Sequence, residues 1–491
     1  MDTKIFGAIA LISLYFMVLL ICVVRSRYSE TGRIVPSAEE FFLASRSLKT
    51  PVLIATFIGT LFSAFTVAGV PSAVYANGIA DWIWLIGGAA IMVLALALFS
   101  RFFFRLSQGN KDILSPIELV AKHYRTKSLG ALLAVTILIF LTPYLAIQLV
   151  GMGKLLEGVS GGAIGYFDGV GFIMAIILFY LLFGGMRAVA YTDYVQAVMI
   201  FVGIIGTVTL FITHYFGDLP AMIAAVKEKA PQQFNPMGNH NQYTVPLLIS
   251  NMFFIGLLVV SQPQLLTRLM MAEKERQIHL IVIVSALCMV IGYGGGALLG
   301  LGGSVVFPDL PEANLLPGKI MSAMMDLHLF GLVTAGFLLI GVISASMSTA
   351  DSLLIAIGQL FIRDIARPYI KLTPEKQVKL AKLLMIVVLG IAFLLGIKPP
   401  PVMIDLASYS FMGTSILAPI VLASLSEKWR NKTAAFLAVL LGEGAFILLM
   451  VMGIKPFGFH ASFAALAIST VIVILGYMAK KAGLTKTRKT A

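Results

Sequence analysis

The sequence predicts an all-α integral membrane protein with about thirteen transmembrane helices, and three observations carry that reading. Of its 491 residues 59% are hydrophobic and only 12% charged, roughly half the charge of a soluble globular chain. The mean hydropathy of +0.95 implies more apolar surface than a water-soluble core can hide. Finally, apolar runs of about 20 residues, the length that crosses a bilayer, recur along the chain, and Lys and Arg gather in alternate loops. Collagen-like, disordered and disulfide-built classes are excluded by composition. Cys22 and Cys288 both lie inside apolar runs, so neither a disulfide framework nor a Cys-rich zinc site is expected.

The first run, 4–24, has only Lys4 ahead of it. Arg25 and Arg27 stand where a cleavage site would need small residues, so the run reads as a retained anchor. The second, 51–76, opens at Pro51. Runs at 82–104, 129–152, 163–184 and 189–213 follow, each bounded by charges, Gly or Pro. After a polar interval at 214–244 come 245–266 and 279–303. The stretch 323–362 is too long for one straight crossing, and reads either as a tilted helix with an extension or as a helix plus a short re-entrant turn. Runs at 381–397, 401–425, 433–454 and 459–479 complete the set.

With the N-terminus outside, the inner loops hold 29 of the 36 Lys and Arg, the three at 268–276 among them. The seven left outside are Lys4, Lys154, Lys227, Lys229, Lys319, Lys398 and Lys455. An N-out, C-in chain with an odd number of crossings is therefore expected. The net charge of +13 follows from this topology, and lipid headgroups rather than nucleic acid are its partner. No GxxxxGK[ST] run provides a nucleotide site. The six histidines are scattered without metal-ligand spacing. No nucleophile–base pair is visible, so the chain does not read as an enzyme.

Charge inside a crossing is expensive and faces a cavity or a partner. Two acids are so placed, Asp193 and Asp351. Asp193 follows the Gly184-Gly185 turn, and reads either as a helix N-cap at the membrane edge or as a site residue. Asp351 lies mid-segment among Ser344, Ser346, Ser348, Thr349 and Ser352. At helical spacing Ala345, Ser348, Thr349 and Ser352 share one stripe. Such hydroxyls either bond back to helix carbonyls for close packing or supply oxygen to a hard cation. The run from Gly59 to Ser72 carries Gly59, Gly69 and Pro71. It reads as an ordinary kink or as an unwound turn whose freed carbonyls hold an ion.

These residues resemble the sodium:solute symporter family over nearly the whole chain. The resemblance is carried by Glu40-Phe41-Phe42-Leu43-Ala44-Ser45-Arg46-Ser47-Leu48, the Gly59–Pro71 stretch, Gly184-Gly185 with Thr192-Asp193-Tyr194-Val195-Gln196, Gln262-Pro263 with Arg268, and Met347-Ser348-Thr349. It implies a LeuT-like core of two inverted five-helix repeats, 51–213 and 245–425. Residues 1–50 would be a first helix with an inner loop, 214–244 an outer loop, and 426–491 two peripheral helices with a basic tail. It further implies sodium held by the carbonyls of Gly59, Phe62 and Ala345 and the hydroxyls of Ser348 and Thr349. Asp193, Asp351 and Ser352 are implied to serve a second ion or a proton. Na⁺ is then the coupling ion, no organic cofactor is needed, and a small solute is carried across the plasma membrane.

The branch is read from shorter matches. Tyr144 falls on a substrate-site tyrosine of the proline symporter, but Leu61, Ile255 and Val259 replace polar or aromatic residues there. Gly87 and Gly88 argue against a sugar. Gln148-Leu149-Val150-Gly151, Lys398-Pro399-Pro400 and Phe457-Gly458-Phe459-His460 resemble the pantothenate branch. Pantothenate or another small carboxylate is thus the favoured solute. A proline-like amino acid, or a proton-coupled or uncoupled carrier of the same fold, is the alternative. The expected solute contacts are Ser63, Thr66, Tyr144, Gln148 and Gln262; interhelical hydrogen bonding is the competing role for each.

Overall fold

The computed structural model describes residues 13–24, 37–183, 185–327, 329–398 and 403–482. Lys4, Arg25, Arg27, Gly184, Pro399 and Pro400 lie outside the described residues. Everything regular within them is helical: α1 (Ser13–Val24), α2 (Ala38–Leu43), α3 (Thr50–Leu61), α4 (Val70–Asn77), α5 (Ile79–Gln108), α6 (Pro116–Tyr124) and α7 (Lys127–Val159). These are followed by α8 (Tyr166–Phe183), α9 (Met186–Tyr215), α10 (Leu219–Lys229), α11 (Val245–Gly256), α12 (Leu258–Ser261), α13 (Pro263–Met270) and α14 (Glu275–Val306). The remainder are α15 (Leu316–Met325), α16 (Leu329–Leu360), α17 (Pro374–Leu395), α18 (Met403–Ser415), α19 (Ala418–Ser424), α20 (Lys432–Val451) and α21 (Ala461–Lys481).

Among the described residues a helix overlaps each expected run, because a chain in hydrocarbon satisfies its backbone groups best within one segment; nine are long and apolar enough to cross a membrane, or up to eleven with each bent pair taken as one crossing, and Ser13–Val24 is shorter. The long stretch at 323–362 divides. Its first residues finish the short α15, a turn follows at Asp326 and Leu327, and α16 runs on from 329 into a π-turn at Phe361–Ala366. Two positions hold bent pairs: α2 with its following turn meets α3 at 112°, and α11–α12 meets α13 at 42°. In the first, Ser37 caps α2 by accepting from the Glu40 N–H, and left-handed Ala44, Ser45 and Arg46 swing the chain into α3. Short α6, α10 and α15 were not foreseen, being amphipathic or too brief to cross.

Lipid faces α5 along one stripe, where Leu94, Leu98 and Phe102 are more than half exposed. Between helices there is no hydrophobic driving force, so small residues set how closely backbones approach. A Cβ on Gly203 of α9 would lie 2.7 Å from the Phe337 carbonyl oxygen and 2.8 Å from Leu338 Cα. The pair α9–α16, which carries the site acids and the hydroxyl stripe, therefore packs almost backbone to backbone. Gly88 plays the same part against α11, where its Cβ would meet Ile255 at 2.7 Å; the glycines that argued against a sugar thus have a packing role.

The Phe457–His460 motif is a helix start. The His460 N–H donates to Ser250 Oγ at 3.0 Å, and its ring Nδ1 accepts from the Ser462 N–H at 3.4 Å, capping α21.

Two stability outcomes follow from these contacts. Gly203→Ala should cost about 1–3 kcal/mol through overpacking and lower the melting temperature of the purified protein. Gly171→Ala, where a Cβ meets nothing within 4 Å, should not lower it. His460→Ala, which removes the acceptor for the Ser462 N–H at the start of α21, should lower it by the worth of about 1 kcal/mol.

Candidate functional site

α3 stops in mid-molecule. Phe62 closes the last helical bond to the Ile58 carbonyl at 2.9 Å, then turns extended at φ −95° and ψ 120°. The chain restarts through Ser63, whose Oγ accepts from the Phe65 N–H and whose carbonyl takes the Thr66 N–H at 2.9 Å. The Phe62 carbonyl, which a continuous helix would give to Thr66, is left free, as carbonyls at a helix end are. The kink reading is thereby set aside: the segment is broken, followed by a π-turn at Phe65–Gly69 and then α4.

The freed oxygens are met by α16. Ser348 Oγ donates to the Gly59 carbonyl at 2.6 Å and lies 3.4 Å from the Ala345 carbonyl. Thr349 Oγ1 donates to the Phe62 carbonyl at 3.2 Å. All five expected sodium ligands therefore converge, from two segments nearly 300 residues apart. Ser348 and Thr349 are fully buried. A hydroxyl can turn its proton away and present lone pairs, so this all-oxygen, uncharged set fits a hard monovalent cation. A Cβ on Gly59 would meet Asp193 Cβ at 3.5 Å and Ser348 Cβ at 3.6 Å, ordinary van der Waals contact, so it is the carbonyl of Gly59 and not the lack of a side chain that the arrangement uses.

Asp193 lies two turns inside α9, whose N-cap is Gly185, so the N-cap reading does not hold. Its Oδ2 accepts from Thr56 Oγ1 at 2.5 Å, and Oδ1 is buried without a hydrogen-bond partner. One turn beyond Ser348 the stripe continues: Ser352 Oγ lies 3.0 Å from Thr60 Oγ1 and accepts from Arg268 Nη2 at 2.5 Å. The same Nη2 is 3.7 Å from Asp193 Oδ2. Asp351 is buried, with Oδ2 unpartnered, and lies within electrostatic range of Asp193 and Arg268.

Arg268 corrects the loop count of the sequence reading. Taken there as an inner-loop cation, it is 0% exposed; Arg46 and Arg187, counted likewise, are buried too, as is the outer Lys154. Hydropathy cannot separate these from loop charges because each lies near a helix end. Tyr15 was also missed. From α1, expected to be peripheral, its hydroxyl accepts from Gln196 Nε2 at 3.1 Å and from Ser344 Oγ at 3.0 Å.

Beside the break lies a cavity of about 20 Å³, space for about one water. Of the expected solute contacts Thr66, Tyr144 and Gln262 line it. Ser63 and Gln148 are instead committed to the backbone: Gln148 Oε1 accepts the Ala64 N–H at 3.2 Å and Nε2 donates to the Tyr144 carbonyl at 3.1 Å. Thr60, Gln264 and Tyr293 line the cavity unforeseen, as do Phe65 and Phe411. Gln262 is the extended residue of a second break, between α12 and α13, with Pro263 restarting the helix; the Gln-Pro pair was the available signal. Gln262 Oε1 accepts from Gln264 Nε2 at 2.7 Å, while Gln264 Oε1 is buried without a partner. Leu61 and Ile255 also line the cavity, so two of the three departures from the proline symporter fall on its wall, and Val259 does not.

Elsewhere in the bundle, Tyr75 Oη donates to the Phe307 carbonyl at 2.7 Å and Tyr243 bonds Asp81, while Arg46 Nη2 donates to the Ile113 carbonyl at 2.7 Å and Arg187 donates to Glu40 at 2.6 Å.

Comparison with known proteins agrees with this geometry. The model of the sodium:solute symporter family matches residues 41–442. A sodium/pantothenate symporter of Haemophilus influenzae is 27% identical over 89% of each chain. The high-affinity proline transporter PutP of Bacillus subtilis is 26% identical over 88% of this chain and 92% of its own. Among solved structures, a substrate-bound, outward-open Na⁺-coupled sialic acid symporter superposes with a TM-score of 0.77 over 98% of each chain at 17% identity. That likeness places the chain in the LeuT-like fold.

Because Gln148 ties off a backbone donor at the break, Gln148→Leu should leave the Ala64 N–H unpaired in a buried site. A loss of about 1–3 kcal/mol is expected, read as a lower melting temperature with the protein still monodisperse.

Proposed function

The chain belongs to the sodium:solute symporter family, and on that premise we propose that the carbonyls of Gly59, Phe62 and Ala345 with the hydroxyls of Ser348 and Thr349 bind the coupling sodium ion. The protein is a multi-pass transporter of the plasma membrane, a sodium-coupled symporter of a small solute and not an enzyme. The observation that supports the site is the convergence of oxygens freed by the break in α3 with the hydroxyl face of α16. Asp193, Asp351 and Ser352 form an adjoining second cation position.

The protein works by alternating access. Sodium bound across α3 and α16 draws the broken helix onto the hydroxyl stripe and raises the population of the form that receives solute. Solute must then tighten sodium equally. A charge crossing 100 mV is worth about 2.3 kcal/mol and a tenfold gradient about 1.4 kcal/mol, so one ion supports accumulation well beyond tenfold. The N-terminus is proposed to face outward, with 51–213 and 245–425 as inverted repeats. In support, each of these opens with a broken helix.

For the solute we propose pantothenate or another small carboxylate. The cavity offers Thr60, Thr66, Tyr144, Gln262 and Gln264 and no basic side chain. The unpartnered Gln264 Oε1 calls for a hydroxyl or amide donor, which pantothenate carries. Two half-helix starts, positive ends of their dipoles, flank the cavity and favour an acid group. A proline-like amino acid is the second reading, supported by the Bacillus subtilis relative and by Tyr144 on the cavity wall.

Uptake of radiolabelled pantothenate and proline into proteoliposomes, with an inward gradient of sodium or of choline, tests both. Sodium-driven accumulation of pantothenate is expected. Ser348→Ala and Thr349→Ala should each raise the sodium concentration for half-maximal uptake by about tenfold, the worth of about 1.4 kcal/mol. Unchanged sodium dependence in both would reject the site.

A further inference from the structure

We propose that a second, charged cavity at one end of the bundle binds a phosphate ester that also carries a free hydroxyl, the chemistry of a phosphatidylglycerol headgroup or of a soluble glycerol phosphate. The cavity measures about 570 Å³, within the range of small-molecule sites, and shares no lining residue with the one beside the break. Its walls come from α6, the start of α7 and the π-turn that follows α16.

Five basic and three acidic side chains line it, an excess of positive charge. Two of the acids are already paired. Glu118 accepts from Arg363 Nε at 2.8 Å and Nη2 at 2.7 Å, and from Arg367 Nη1 at 3.3 Å; Asp112 has Lys122 at 3.5 Å. Arg125 and Lys127 are left over. Arg125 is exposed and makes no hydrogen bond or ion pair among the described residues, and Lys127 Nζ reaches a carbonyl, that of Pro368, at 3.4 Å. Between them Thr126 starts α7 without a side-chain cap, and Thr126, Lys127 and Gly130 all line the cavity. The first-turn N–H groups, orphaned at a helix start, therefore open on the same space as two cations without an acid. Phosphate oxygens suit both kinds of donor.

A second demand narrows the ligand. Asp364 is 2% exposed; its Oδ2 accepts from Ser115 Oγ at 2.6 Å, and Oδ1 is buried without a hydrogen-bond partner. Oδ1 lies 3.8 Å from where a Cβ on Gly130 would stand, and both residues line the cavity. A buried acceptor left unpaired is costly, and a hydroxyl carried close to the phosphate supplies its donor. Pro368 lines the cavity too, and the next two residues, Tyr369 and Ile370, are 63% and 58% exposed. An aromatic and an aliphatic side chain beside a basic cavity at a helix end suit headgroup depth, so a membrane lipid is the expected source.

Titration of the delipidated full-length protein, followed by its melting temperature, tests this in two arms. In mixed micelles phosphatidylglycerol is compared with phosphatidylmethanol, which keeps the charge and lacks the hydroxyl. In water glycerol phosphate is compared with methyl phosphate. Phosphatidylglycerol should bind about tenfold more tightly than phosphatidylmethanol, the worth of one hydrogen bond to a charged group. Arg125→Gln with Lys127→Gln should weaken its binding by about tenfold. The exposed pair Lys376→Gln with Lys379→Gln on α17, outside the cavity, should leave it unchanged. The same hydroxyl preference and the same variant effect in the aqueous arm alone would make the source a soluble ester and uphold the site. Binding in neither arm, no preference for the hydroxyl, no effect of the Arg125 and Lys127 changes, or an equal loss from both double variants would overturn the proposal.

Discussion

The structure turns on carbonyl oxygens that a helix gives up when it breaks inside a membrane. In water such groups would be solvated at little cost. In hydrocarbon each must find a partner or lose several kcal/mol. α3 ends at Phe62 because its neighbours supply those partners: Ser348 and Thr349 from α16 take the Gly59 and Phe62 carbonyls, and Gln148 from α7 takes the Ala64 N–H. The packing of α9 against α16 through Gly203 is the close approach among them.

A site built this way is weakly self-satisfied without an ion. Hydroxyl protons point into carbonyls, and a cation that replaces them draws on oxygens already aimed at one another. Asp193, Asp351 and Arg268 are buried near one another, where isolated charge could not persist. Tyr15 of α1 extends the network, bridging α9 and α16 through Gln196 and Ser344, which gives a helix outside the repeated core a part in holding the site.

Hydrogen bonds between distant segments also tie the bundle together, with a tyrosine on a carbonyl in one place and arginines on carboxylate and carbonyl groups in another. Such contacts are individually worth little net energy and can be exchanged. The two breaks are alike: Phe62 and Gln262 each close the preceding helix through the N–H and then turn extended, so the chain restarts from a residue outside the helical φ/ψ region.

Hydropathy alone determined that the chain is a bundle of membrane helices, because the burial of apolar runs in lipid is a property of each segment by itself. The five oxygens proposed for sodium were legible as candidates, since a hydroxyl stripe at helical spacing and a Gly-rich interruption are local patterns, with the family resemblance joining them. Tertiary structure decided the rest. Asp193 became a site residue instead of a cap once α9 began at Met186. Arg268, Thr60, Gln264 and Tyr293 joined the site only when distant segments met, and Gln148 and Ser63 were taken from the solute to serve the backbone at the break. The physical reason is the same in each case: a local pattern states which atoms need partners in a medium without water, but only the packing of helices states which partners they find.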